Sequence, residues 1–290
     1  MRDIGRVCVV GSSGQLGHDV VEAFKGCEVT GLTHDDISIE DASLVARALE
    51  GCRPDVVINT AAYHHVPTCE THQREALLIN AAGVANLAGA CARRGAIFAT
   101  VSTDYVFDGT KGSPYLESDE PHPLSVYGLS KLAGETIAQA TLPSCFVFRT
   151  SGLFGKLGSK SKGYTFIDRI LQQARDGAEI KVVNDMTFSP SYTTHVAAAI
   201  RAVIERAPFG LYHLTNRGAT TWYDFARAAL NEAGFDRVPI TATSLKDYND
   251  GVRRPQNSSL AHEALLRAAL TDLPPWQEAV ADYVRERFPS

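Results

Sequence analysis

Short apolar runs alternate with longer, mixed segments through the first half of the chain, and the two kinds of segment carry different periods. Arg6–Val10, Asp55–Ile58, Ala96–Val101 and Cys145–Phe148 are β-branched or aromatic and continuously apolar, as strands covered on both faces are. A fifth run, Glu28–Leu32, is weaker. Between them Leu16–Phe24, Ala42–Leu49, Arg74–Arg94 and Tyr127–Ala140 are rich in Ala and Leu, with polar residues at the complementary helical spacing. Strand and helix in alternation predict parallel strands joined by right-handed crossovers. The expected fold class is therefore α/β, a Rossmann-type doubly wound sheet.

The second half is less regular. A Gly/Ser/Lys stretch (Gly155–Gly163) precedes an expected helix (Phe166–Arg175), a strand (Glu179–Val183) and a C-terminal amphipathic segment (Trp276–Arg287). The expected division is a dinucleotide-binding domain over 1–150 with about 196–215, and a smaller substrate-binding region over 151–195 and 216–290.

Composition narrows the function classes. The 290 residues are 44% hydrophobic and 21% charged, which excludes a disordered or fibrous chain. Lys and Arg total 28 against 33 Asp and Glu, net charge -5, so the basic excess that binds a phosphate backbone is missing and nucleic acid is not an expected partner. No uninterrupted apolar run reaches membrane-span length, and the start Met1-Arg2-Asp3 leads into a strand, so a cytoplasmic protein with no membrane partner is expected. Six cysteines stand without a C-x-x-C pair. Three of them (Cys8, Cys91, Cys145) lie in apolar runs, so neither a disulfide framework nor a zinc site is expected.

Directly after the first strand the chain reads Gly11-Ser-Ser-Gly14-Gln-Leu-Gly17. Glycines in such a turn let the backbone approach a pyrophosphate and let helix pack on strand, while the helix N-terminus offers N–H groups to the anion. The second strand runs out at Leu32-Thr33-His34, placing the uncharged Thr33 where an acid would bind the free ribose of NAD, which leans toward NADPH. Asp35 and Asp36 follow closely enough to supply that acid, so NADH stays open.

Tyr127 and Lys131 stand four apart, on one face of a helix. A nearby ammonium lowers a phenol toward neutrality, which suits proton transfer to a carbonyl. The run Val101-Ser-Thr-Asp-Tyr-Val-Phe-Asp-Gly109 begins where a buried strand ends, the ligand-binding edge of doubly wound sheets. Thr103 or Ser102 is placed there to orient a carbonyl.

Together with Asn59-Thr-Ala-Ala-Tyr63, Tyr127-Gly-Leu-Ser-Lys-Leu-Ala-Gly-Glu135, Arg149-Thr-Ser151, Leu153-Phe-Gly155, Gly210-Leu-Tyr-His-Leu214 and Arg253-Arg-Pro-Gln-Asn-Ser258, these residues resemble the extended short-chain dehydrogenase/reductases. Within them they resemble the dTDP-4-dehydrorhamnose reductase family, over nearly the whole chain. The resemblance implies NAD(P)H-dependent reduction of a nucleotide-linked 4-keto-6-deoxysugar, with Thr103, Tyr127 and Lys131 catalytic. It makes Tyr127 the proton donor to the sugar O4 and sets Lys131 on the nicotinamide ribose. It implies a cofactor site of Gly11, Ser13, Gly14, Gln15, Leu16, Gly17, Thr33, Ala61, Ala62, Tyr63 and Asn80, shared with Tyr127 and Lys131. Asp104, Tyr105, Val106, Gly152 and Arg254 fall to the nucleotide sugar. Arg254, planar and always charged, is suited to a diphosphate.

The chain departs from that family at three places. Gly152 replaces a Trp that flanks the sugar, His64-His65-Val66-Pro67-Thr68-Cys69-Glu70 lacks the usual Asp, and Ser38 stands for an adenine-side Asp. The adjacent His64 and His65 lack a third ligand, and Asp19 reads as an ordinary helix residue, so no metal is expected. Two alternatives follow: a reductase or epimerase of another nucleotide sugar, and a non-catalytic, NADP-binding regulatory subunit resembling that of methionine adenosyltransferase. A homodimer is compatible with either reading.

Overall fold

The computed structural model describes residues 1–158, 163–248 and 250–288; positions 159–162 of the Gly/Ser/Lys stretch lie outside the described residues. The first half runs β1 (Arg6–Val10), α1 (Gln15–Ala23), β2 (Glu28–Leu32), α2 (Ala42–Cys52), β3 (Val56–Asn59), α3 (Val66–Thr71), α4 (Gln73–Leu77), α5 (Gly83–Arg94), β4 (Ile97–Thr103), α6 (Val126–Thr141) and β5 (Cys145–Thr150). The second half adds β6 (Leu153–Phe154), α7 (Phe166–Arg175), β7 (Lys181–Val183), β8 (Thr187–Phe188), β9 (Ser191–Tyr192), α8 (Thr193–Arg206), β10 (Gly210–His213), β11 (Thr220–Thr221), α9 (Trp222–Glu232), β12 (Thr241–Thr243), α10 (Glu263–Arg267) and α11 (Trp276–Arg287).

Six strands form one parallel sheet in the order β10-β5-β4-β3-β1-β2. The chain turns to opposite sides of β1 at β2 and β3, so the switch point lies between β1 and β3, where such sheets bind ligands. Alternation along β1 explains both faces. Val7 and Val9 join Val20, Phe24, Phe148 and Ile200, while Cys8 and Val10 join Val45, Leu49, Leu87 and Phe98 on the other side. Each such side chain contributes roughly 1.5–3 kcal/mol on burial. A separate aromatic core, including Phe154, Phe188, Tyr192, Phe225, Trp276 and Tyr283, holds the second half together.

Element limits shift where polar groups intervene. Strand β3 starts at Val56, because the Asp55 carboxylate accepts from the N–H groups of Gly5 (3.0 Å) and Arg6 (2.8 Å). Strand β4 runs on to Thr103, because Ser102 and Thr103 pair with Arg149 and Thr150 of β5. Ser125 starts α6 one residue early by accepting from the Gly128 N–H (3.2 Å). The expected strand at Glu179 begins at Lys181, paired with β12. The helix expected over Arg74–Arg94 carries a π-helical turn, Leu78–Ala82, between α4 and α5. Among the described residues this helix, Gln73–Arg94, alone has the length and apolarity to cross a membrane; half of its apolar window is buried, and it packs on α2 and α6 as a core helix. All six cysteines are free thiols.

Candidate active site

The glycine-rich turn is shaped by close contact. Gly11 has φ +82°, and a Cβ there would stand 2.7 Å from the Ala61 nitrogen; on Gly17 it would stand 2.2 Å from the Gly11 carbonyl oxygen. The turn is tied down by Gly11 and Ser12 N–H groups donating to the Leu32 carbonyl (2.8 and 3.1 Å) and by the Thr60 hydroxyl donating to that of Val10 (2.9 Å). Helix α1 opens on Gly14, which brings no side chain to cap the first-turn N–H groups. That leaves the positive end of the helix facing a cleft of about 490 Å³ lined by Gly14, Gln15, Leu16 and Gly17. A pyrophosphate fits this cradle, which any side chain at Gly11 or Gly17 would fill.

The cleft also takes in Thr103, Tyr127 and Lys131, so the two halves of the expected site share one space. Thr103 ends β4; its hydroxyl donates to Asp104 Oδ1 (3.0 Å) and accepts the Tyr105 N–H (3.2 Å). Tyr127 and Lys131 come from the first turns of α6. The Lys131 ammonium is buried and donates to the Val101 carbonyl at 2.6 Å. Burial pulls it down to about 8, against the opposing pull of the Glu135 carboxylate.

One expectation is corrected here. The ammonium does not lower the phenol: burial pushes Tyr127 above its usual value, and the influence of the Thr103 hydroxyl offsets only part of that rise. A phenol held neutral at physiological pH is the form that donates a proton. Asp104 is displaced in the same sense. Burial raises its carboxyl to about 6 despite hydrogen bonds from Ser151 (2.7 Å) and Thr103 (3.0 Å).

Of the expected cofactor residues, Gly14, Gln15, Leu16, Gly17 and Ala62 line this cleft with Tyr127 and Lys131, and Gly11, Ser13, Thr33, Ala61, Tyr63 and Asn80 are not part of that lining. Thr33 is engaged by Asp36, whose carboxylate accepts from its N–H (2.8 Å) and hydroxyl (2.7 Å). Asn80, in the π-helical turn, accepts the Tyr63 N–H (2.9 Å) and donates to the Tyr63 carbonyl (3.0 Å) and the Ser130 hydroxyl (2.9 Å); it holds the loop after β3 against α6 from outside the cleft. Among the expected sugar residues Asp104, Tyr105, Gly152 and Arg254 line the cleft. Val106 does not: it is fully buried with Phe107, Tyr115 and Leu260. Arg254 reaches the cleft in a two-point ion pair with Asp250 (2.5 and 2.6 Å).

Residues 5–288 match the family described as RmlD substrate binding domain. The chain belongs to that family. It is 35% identical over 284 residues to the spore coat polysaccharide biosynthesis protein SpsK of Bacillus subtilis, covering 97% of this chain and 98% of the relative. It is also 35% identical over 300 residues to a dTDP-4-dehydrorhamnose reductase of Burkholderia thailandensis, with the same coverage. The crystal structure of dTDP-4-dehydrorhamnose reductase from Bacillus anthracis in complex with NADP is similar at a TM-score of 0.93 and 30% identity, over 97% of this chain and 99% of that one.

Against this RmlD-type background, several site residues escaped the sequence reading. Glu135 and Arg149 form a buried ion pair, with the Arg149 Nη2 donating to Glu135 Oε2 at 2.7 Å, and the Ser102 hydroxyl donates to the same carboxylate. Both stand within the Tyr127–Glu135 and Arg149–Ser151 motifs, but only the β4–β5 register and the face of α6 show that they meet, with Ser102. Asp250 stands four residues before Arg254, a spacing that fits an ion pair. Phe188 and Trp222 carry no such sequence signal. His64 and His65 both line the cleft; the His65 Nδ1 pairs with the Thr68 hydroxyl at 2.5 Å, and no metal-ligating cluster occurs among the described residues.

Proposed function

We propose that this protein reduces a nucleotide-linked 4-keto-6-deoxysugar with NADPH, NADH being an accepted alternative, and that the substrate is dTDP-4-dehydrorhamnose. The observation that carries the reading is the meeting of Thr103, Tyr127 and Lys131 in one cleft with the side-chain-free N-terminus of α1. Membership in a family whose relatives include dTDP-4-dehydrorhamnose reductases supports it. So does the NADP complex of a similar structure. Free cysteines throughout agree with a cytoplasmic setting.

The chemistry a bound nicotinamide cofactor would supply is a hydride to the carbonyl carbon of the sugar. The first-turn N–H groups of α1 and Gly14 would hold its pyrophosphate, and Lys131, fixed by the Val101 carbonyl, presents a positive charge at the base of the cleft. Thr103 orients the sugar carbonyl, and the Tyr127 phenol, neutral through burial, passes its proton to the carbonyl oxygen as it becomes an alcohol. Arg254 meets the diphosphate.

The test is the loss of nicotinamide absorbance with NADPH or NADH and dTDP-4-dehydrorhamnose generated in place. Tyr127→Phe is expected to lower kcat about 10²–10⁴-fold while cofactor binding is retained. Tight cofactor binding with no turnover of any keto sugar would favour the regulatory reading, which the intact Thr103, Tyr127 and Lys131 oppose.

A further inference from the structure

One wall of the cleft is aromatic, and a single glycine decides who builds it. Gly152 stands two residues beyond Thr150, the β5 partner of Thr103, and so lies beside the reacting end of the cleft. Its φ is +49°, and a Cβ there would fall 2.4 and 2.6 Å from two carbons of the Phe188 ring. Phe188 therefore occupies the room that a side chain at 152 would need.

Phe188 stacks face to face on Trp222, with centroids 4.0 Å apart and planes at 11°. The pair is braced from behind. Phe225 packs edge-on to Phe188 at 5.6 Å and Phe166 edge-on to Trp222 at 4.8 Å. Trp222 is also fixed in place as the first residue of α9, whose N-cap Thr221 accepts the Asp224 N–H at 3.0 Å. Phe188 is fully buried, Trp222 is half-buried, and both line the cleft together with Met186 and Leu153.

We propose that the Phe188–Trp222 stack, admitted by Gly152, is the specificity wall of the site and receives the 6-methyl end of the hexose. The inference rests on the 4-keto sugar reading above. In a 4-keto-6-deoxyhexose the methyl hangs on the carbon next to the carbonyl carbon, so a carbonyl held at Thr103 and Tyr127 brings the methyl to the adjoining wall. Aromatic faces take up a methyl group favourably. A 6-hydroxyl in the same place gives up its water to a surface with little to accept or donate a hydrogen bond.

The experiment compares kcat/KM for a nucleotide-linked 4-keto-6-deoxyhexose and its 6-hydroxy counterpart. The protein is expected to favour the deoxy sugar by about 10–100-fold, a range typical of one group in an apolar pocket, and Trp222→Ala to erase most of that preference. An equal fall for both sugars in Trp222→Ala overturns the proposal. A second readout needs neither turnover nor loss of the wall. The chain has two tryptophans, so Trp276→Phe leaves Trp222 as the sole indole. Its fluorescence is expected to respond to dTDP-rhamnose and not to dTDP alone, and an identical response to the two overturns the wall. A Trp222 response to dTDP-rhamnose without turnover of any keto sugar upholds the wall and removes the reductase reading.

Discussion

Lys131 and Asp104 are the two buried groups of the cleft that titrate closest to neutrality, and each sets its own pH dependence. Lys131 is pulled down to about 8, so its ammonium fraction, and with it kcat/KM, is expected to fall as pH rises past about 8. Lys131→Arg, charged at every accessible pH, is expected to be slower but to lack that limb in a pH–rate profile. Asp104 acts on stability. Its native carboxyl holds a proton more tightly than the ordinary 3.8 allows, so its contribution is greatest below about pH 4 and is lost as pH rises from there to about 6. The loss is on the order of 3 kcal/mol, and Asp104→Asn is expected to abolish it in urea melts run across that window. Tyr127 and Lys131 were legible in the sequence because a spacing of four on a helix is a local property. The state of the phenol was not, since burial by distant segments outweighs the neighbouring charge.

At the scale of elements, the turn from β1 into α1 is dictated by its glycines. Gly17→Ala places a methyl group 2.2 Å from the Gly11 carbonyl oxygen, which forces α1 away from β1. Cofactor affinity, measured by titrating NADPH fluorescence, is expected to drop by about tenfold or more, a change worth at least 1.4 kcal/mol. This turn could be read directly from residues 11–17, because strand, turn and helix are contiguous there. The π-helical turn at Leu78–Ala82 could not. Nothing in the helical pattern of Arg74–Arg94 marks an extra residue in one turn, and Asn80 finds its partners Tyr63 and Ser130 only when the loop after β3 and helix α6 converge on it.

For the whole molecule, the Arg149–Glu135 pair ties β5 to α6, and the bond from Ser102 brings in β4, so the elements bearing Thr103, Tyr127 and Lys131 share one buried strut. Glu135→Gln leaves a buried guanidinium without its counter-charge and is expected to cost about 3–5 kcal/mol, whereas Glu135→Leu with Arg149→Met recovers most of it; denaturant titration of both variants checks this. Here the division between chain and fold is plain. The alternation of short apolar runs with amphipathic segments, the glycine turn and the Tyr–Lys spacing determined a doubly wound sheet with a dinucleotide end and a chemical end, because each is a pattern of neighbours along the chain. Tertiary packing alone decided that Val106 is buried away from the cleft, that Asn80 ties the loop after β3 to α6, that Asp250 meets Arg254 in the cleft, and that Phe188 fills the space beside Gly152 with Trp222 stacked on it. Those outcomes depend on which distant surfaces come to lie within a few ångströms, and close packing, rather than local preference, selects them.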